Sequence, residues 1–302
     1  MTATDLLPLE EARARILEDV LPLRAESTPL AEALGRVLSE DATALLTLPP
    51  WDNSAMDGYA VRSEDVAAAT AELPIVLDVV GEVAAGHEPE CAVGPGTAAR
   101  VLTGAMMPPG ADAIVKVEDT DAAAGLAELP TRVAVRVPVP AGKDIRTAGS
   151  DMRQGDHLLS AGTRVTPAVI AVLAAAGHAR INVHRRPRVG IISTGDELTP
   201  LGEPLGPASI PDSNGESLAA QVRAAGAEPV RLGIAIDDRV VVRDRLREGI
   251  LAADVLVVSG GVSVGAHDVV KEVFSEVGTL DLWRGAIQPG KPLAYGSAPR
   301  PD

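Results

Sequence analysis

From Arg188 onward, short apolar runs alternate with helix-length segments, and this restricts the fold more than any other feature of the 302-residue chain. VGIIS reads as a buried strand, and SNGESLAAQVRAAG as a helix with Ser213 and Glu216 at capping-box spacing. PVRLGIAI is the next strand, DDRVVVRDRLREGILAA a helix and DVLVVSGG a strand. HDVVKEVFSEVG, TLDLWRGAI and LAYGS follow as helix, strand and short strand. Parallel strands need crossovers of about a dozen residues or more, which these helices supply, so the pattern predicts parallel βαβ units.

Two other textures precede this one. Residues 1–46 read as two helices, LEEARARILEDVL and PLAEALGRVLSEDA, separated by Pro22 and a polar turn at Glu26-Ser27-Thr28. After Leu48, the runs IVLDVVGEV, TAARVLTGAM, AIVKVEDT and RVAVRVPV are β-rich and broken by Gly and Pro, as in a mostly β module. GKDIRTAGSDMRQGD is turn-rich and leads into VTPAVIAVLAAAGHARINV, a short apolar helix followed by a strand. That helix is expected to return to the N-terminal helices. The division is therefore a discontinuous helical/linker domain (1–46 and 143–184), a mostly β module (47–142) and an α/β domain (185–302).

Composition limits the function classes. A net charge of −15 opposes nonspecific nucleic-acid binding, which requires Lys and Arg to neutralise phosphates. The acidic, amphipathic N-terminus lacks the basic start and apolar run of a signal peptide, and the longest apolar run, Pro167 to Gly177, is too short to cross a bilayer. A cytoplasmic protein acting on small molecules is expected. Cys91 is the single cysteine, which excludes an intrachain disulfide and suits a small core filler. His87, His157, His178, His184 and His267 show no metal-ligand spacing.

Ligands of open α/β sheets bind outside the carboxyl ends of the strands. VGIIS runs into TGDEL, with Asp196 and Glu197; LGIAI runs into Asp237 and Asp238; LVVSG runs into GVSVGAHD, with Gly260, Gly261, Ser263, Gly265 and Asp268. Asp238 and Asp268 each stand at a helix start, where an N-cap reading competes with a ligand reading. The set as a whole resembles a Mg²⁺ and phosphate site, since Mg²⁺ takes one or two carboxylates together with substrate phosphates. GAIQPGKP (Gly285 to Pro292) is not a P-loop: Pro292 replaces the metal-binding Ser or Thr, and Pro289 removes a cradle N–H. SGGVSVG is not the GxGxxG of a dinucleotide fold.

Five strings, PPWDNSAMDGYAVR, LTGAMMPPGADAIVKVE, STGDEL, SGGVSVGAHD and QPGKP, occur in that order. Together they closely resemble the MoeA family of molybdopterin molybdenumtransferases, which includes the gephyrin E domain. The resemblance runs from near the N-terminus to about Gly296 and implies a multidomain α/β protein. It comprises a helical/linker segment, a mostly β module and a MoaB/MogA-like three-layer α/β molybdopterin-binding domain. It implies molybdenum cofactor biosynthesis: molybdate is inserted into adenylated molybdopterin, AMP is released and Mg²⁺ assists. It further implies a homodimer whose site is shared between the α/β domain of one subunit and the β module of the other, and it admits a molybdopterin adenylyltransferase as a partner.

Carried over residue by residue, the resemblance gives Asp57, Thr103, Asp151 and Glu197 catalytic roles. Ser193, Thr194, Gly195, Asp237, Gly260, Gly261, Ser263, Gly265, Asp268, Lys291 and Pro292 are implied to bind the cofactor, with Glu197, Asp237 and Asp268 holding the metal. Arg284 and Gln288 stand where some relatives carry lysine. The sequence stops at PLAYGSAPRPD, before the Gly-Pro-Asn-rich loop and C-terminal β-barrel domain of the family. The expectation is thus a truncated chain with an incomplete α/β domain and an absent barrel. Two rival readings stand beside the enzyme: a non-catalytic molybdopterin-binding or dimeric scaffold, and an adenylyltransferase, which would not need the NSAMDGYAVR module.

Overall fold

A computed structural model describes residues 6–122, 128–260, 269–284, 286 and 292–300. The chain divides into two units: an α/β unit (Met1–Thr28, Gly35–Ser39 and Asn182–Asp302) and a β unit (Pro29–Leu34 and Glu40–Ile181).

The β unit is built on a five-stranded sheet of β1 (Gly58–Val61), β2 (Ile75–Val83), β3 (Thr97–Val101), β4 (Ala113–Lys116) and β5 (Arg132–Val135). The order is β4-β1-β3-β2-β5, antiparallel throughout except for the parallel β2–β3 pair. Successive side chains leave a strand on opposite faces, and both faces of this sheet are covered. Tyr59, Val61, Val115, Ala113, Leu77 and Val133 pack into one core, whereas Ala60, Ile114, Val83 and Val101 pack into another. Every residue of β1 is consequently buried, despite the scarcity of aromatics. The helix expected in VTPAVIAVLAAAG forms at Pro167–Ala175 and is capped by Thr166, whose hydroxyl accepts the Val169 N–H.

The α/β unit carries β6 (Arg188–Thr194), β7 (Glu228–Ala235) and β8 (Val255–Ser259), which pair in parallel in the order β7-β6-β8. The helix Ser213–Ala224 joins β6 to β7, and Arg239–Ala252 joins β7 to β8. Right-handed crossovers therefore place these two helices on opposite faces of the sheet. The helix Val269–Val277 leaves β8 and packs against Arg239–Ala252 around Ile192, Leu232, Val242, Leu246 and Val273. Chain leaving β6 and chain leaving β8 thus turn to opposite faces, which makes the crevice between their carboxyl ends a topological switch point. The strands Thr279–Arg284 and Pro292–Ser297 form an antiparallel pair.

Of the two helices expected in residues 1–46, the first forms at Leu9–Glu18. The second does not. Its polar turn is the strand Ala25–Pro29, followed by a single 3-10 turn at Leu30–Glu32. Gly35 then takes φ 78°, in the left-handed region that a helix cannot use, and Leu38 bridges to Val183 as extended backbone. The apolar spacing of Leu30, Ala33 and Leu38 buries all three residues without a helix between them. A second correction concerns the helix Ser213–Ala224. Its N-cap is Asp212, whose carboxylate accepts the Gly215 N–H, rather than Ser213.

Candidate active site

On the β unit, the sequence WDNSAMDGY folds into tightly pinned backbone. Asp52 accepts the Ala148 N–H at 2.7 Å, and buried Asn53 donates to the Trp51 carbonyl at 3.3 Å while pairing with Arg146. Tyr59 is core. Asp57 is exposed at the start of β1, with Gly58 next to it because a Cβ there would run into the Val115 carbonyl. The Asp57 Oδ1 accepts both the backbone N–H of Thr103 at 2.6 Å and its hydroxyl at 2.8 Å. Those hydrogen bonds, the backbone one first, hold the Asp57 carboxyl below the usual aspartate range. Its second oxygen takes no donor among the described residues. Asp151 lies in the same unit, but its carboxylate is bonded to Ser150 at 3.4 Å and not to Asp57 or Thr103.

At the carboxyl end of the parallel sheet, β6 ends on Ser193 and Thr194, both buried. The Ser193 hydroxyl donates to Asp212 at 2.8 Å, and the Thr194 hydroxyl donates to the Ser259 carbonyl at 3.3 Å, tying β6 to β8. The Gly195 N–H donates to the Ala235 carbonyl, and Asp196 accepts the Asp237 N–H at 2.9 Å, tying the loops after β6 and β7. Glu197 is exposed, and its carboxyl group occupies the space that a Cβ on Gly195 would need. Asp237 is exposed in the loop after β7, and Asp238 caps the following helix through the N–H groups of Val240 and Val241. Gly260 directly follows β8 at φ 101°. Gly261, Ser263, Gly265, Asp268 and Lys291 lie outside the described residues, and Pro292 opens the last strand.

Residues 7–177 match the family described as MoeA N-terminal region (domain I and II), and residues 190–300 match the probable molybdopterin binding domain. The chain belongs to the MoeA family. It is 42% identical over 277 residues to the molybdopterin molybdenumtransferase of Nostoc, covering 91% of this chain and 62% of the Nostoc protein. It is 41% identical over 294 residues to molybdopterin molybdenumtransferase 2 of Mycobacterium tuberculosis, covering 95% and 71%. The crystal structure of the molybdopterin biosynthesis MoeA protein from Pyrococcus horikoshii superposes with a TM-score of 0.81 at 34% identity, covering 97% of this chain and 72% of that one. The chain thus spans roughly two thirds of the length of the relatives it matches.

In this MoeA-family chain, sequence reasoning missed Asp212, Asn214 and Arg231. Asp212 is buried, takes the Ser193 hydroxyl and the Gly215 N–H on one oxygen, and has the Arg231 guanidinium 3.6 Å from the other. Asn214 donates to the Ser259 hydroxyl at 2.9 Å. The signal for Asp212 was its place directly before a helix, where a capping residue is favoured. Cys91 is half-buried against the core of Val83, Val101 and Ile114, and burial pushes its thiol pKa up, away from nucleophile behaviour. Among the described residues no three His, Cys, Asp or Glu side chains form a metal-binding group. Mg²⁺ takes one or two carboxylates together with substrate phosphates, and Glu197 and Asp237 are exposed acidic residues in the loops after β6 and β7. No helix among the described residues is long and apolar enough to cross a membrane.

Proposed function

We propose that this chain inserts molybdate into adenylated molybdopterin and releases AMP, as a molybdopterin molybdenumtransferase of cytoplasmic molybdenum cofactor biosynthesis. The observation that carries the reading is the Asp57–Thr103 pair: an exposed carboxylate kept ionised by two donors on one oxygen, with the other oxygen open to a ligand. A carboxylate so held is oriented without a conformational search, and it can accept a proton or hydrogen bond from a thiol or hydroxyl delivered to it. Support at the sheet edge comes from the Thr194–Ser259 hydrogen bond, which joins the ends of β6 and β8, and the Asp196–Asp237 hydrogen bond, which joins the loops after β6 and β7, at a switch point where phosphates are commonly held.

Glu197 and Asp237 would hold Mg²⁺, which when bound neutralises phosphate charge. Asp151 adds an exposed carboxylate on the β unit. Gly260 begins the glycine-rich loop through which backbone N–H groups would meet an anion. A molybdopterin adenylyltransferase would supply the adenylate. The complete site uses two copies of the chain, with Asp57 and Thr103 contributed by the second copy.

The test is AMP release from adenylated molybdopterin by this chain with Mg²⁺, with and without molybdate. Molybdate-dependent release supports the transferase, and binding without release makes the protein a molybdopterin-binding scaffold instead. Mixing two inactive variants, Asp57→Ala and Glu197→Ala, tests the shared site. Statistical exchange between two-fold dimers restores about a quarter of wild-type activity if each site draws on both copies. If each copy holds its own site, mixing restores nothing.

A further inference from the structure

The amino end of the parallel sheet is chemically opposite to the carboxyl end. A cavity of about 590 Å³ opens there, lined by Arg24, Arg36, Arg185, Arg186, Arg188 and Arg300, all of the α/β unit. Arg188 is the first residue of β6, and the carboxylates sharing the cavity include Glu228, which opens β7, and Asp254, which immediately precedes β8. Strands of five to seven residues at about 3.3 Å each put this cavity roughly 20 Å from the carboxyl-end loops.

Three of the arginines are structural. Arg185 donates through both terminal nitrogens to Asp254, at 2.6 Å each. Arg300 donates to the Ala253 carbonyl at 2.6 Å and to Asp254 at 3.2 Å. Arg36 donates to Glu26 and to the His184 carbonyl, and its side chain is 9% exposed. The other three, Arg24, Arg186 and Arg188, are exposed, and their guanidinium groups have no hydrogen-bond or ion-pair partner among the described residues. Glu228 is the one lining carboxylate outside the paired frame.

Three unpaired guanidinium groups gathered in one concavity repel one another, and they do so in a protein whose net charge is −15. An oxyanion with two or more charges would relieve the repulsion, and the planar guanidinium fork matches phosphate oxygens two at a time. The cavity volume lies in the range of small-molecule sites. We infer that this cavity is a binding site for a small phosphate-bearing anion, held by Arg24, Arg186 and Arg188 on a frame fixed by the Arg185–Asp254 pair, and separate from the carboxyl-end site.

The experiment titrates pyrophosphate into the full chain by calorimetry, in low-chloride buffer without Mg²⁺, and repeats the titration with substitutions at each end of the sheet. Arg24→Gln, Arg186→Gln and Arg188→Gln should each weaken binding by about 5–10-fold, and the triple variant by about 100-fold or more. Pyrophosphate should raise the unfolding temperature of the wild type and leave that of the triple variant unmoved, because a ligand stabilises only the state that binds it. Glu197→Gln, at the other end of the sheet, should bind like wild type. The inference is overturned if the wild type takes up no pyrophosphate, if Arg188→Gln and the triple variant both bind within about twofold of wild type, or if Glu197→Gln is the variant that loses binding.

Discussion

The two ends of one three-stranded sheet, β7-β6-β8, have been built in opposite ways. At the carboxyl end the loops present Asp196, Glu197, Asp237 and Asp238, and two of the four are used by the backbone: Asp196 on the Asp237 N–H, Asp238 on a helix start. Glu197 is exposed, and its carboxylate takes no hydrogen bond among the described residues. At the amino end the half-buried carboxylate Asp254 is gripped by Arg185, Arg300 and the Arg188 N–H, and these donors, Arg185 first, push its pKa far below the aspartate range. The difference teaches where each carboxylate acts. A group satisfied from several directions stabilises the fold and has no oxygen to offer. A group left exposed beside a switch point contributes little to stability and is available for chemistry.

The largest expected effect tests the carboxyl end. Glu197→Ala should lower molybdate-dependent AMP release by about a thousandfold, equivalent to ~4 kcal/mol of transition-state stabilisation, while its unfolding free energy shifts by less than about 0.5 kcal/mol. A large loss of stability in a denaturant titration would break the comparison.

Asp254→Asn should do the reverse and cost about 3 kcal/mol of stability, because Arg185 is left part-buried with a neutral partner. The folded-state pKa of Asp254 lies below its unfolded value, so its contribution is complete above the ordinary aspartate pKa of about 3.9 and is lost as pH falls through the folded value. The gap in unfolding temperature between wild type and Asp254→Asn should therefore be constant near neutrality and close only in strong acid. A gap that closes between pH 5 and 7 would mean another group carries it.

Asp212 falls between the two cases, being at the carboxyl end but buried. Asp212→Ala should cost about 2 kcal/mol by combining loss of a helix cap with an unsatisfied Ser193 hydroxyl. Asp238→Ala removes only an exposed cap and should cost about 1 kcal/mol. Equal losses at the two positions in urea titrations would show that burial of Asp212 adds nothing to its cap.

By itself the sequence determined the alternation of strand and helix from Arg188 onward, because period and length are local properties of the chain. The strands Arg188–Thr194, Glu228–Ala235 and Val255–Ser259 and the helices between them lie where that reading put them. It also carried the family, through strings such as NSAMDGYAVR and SGGVSVGAHD. It misread PLAEALGRVLSEDA as a helix, because spacing alone cannot tell a buried helical face from successive turns docking the same residues, and Gly35 decided for turns. Tertiary structure alone decided which polar groups are already partnered. Asp57 and Thr103 meet across 46 residues of chain, and Ser193 finds Asp212 across 19. Arg24 joins Arg186 and Arg188 in one cavity across about 160 residues of chain, although the composition is acidic. A hydrogen bond or a charge cluster depends on distances between residues far apart in sequence, and those distances exist only once the sheet has brought its ends together.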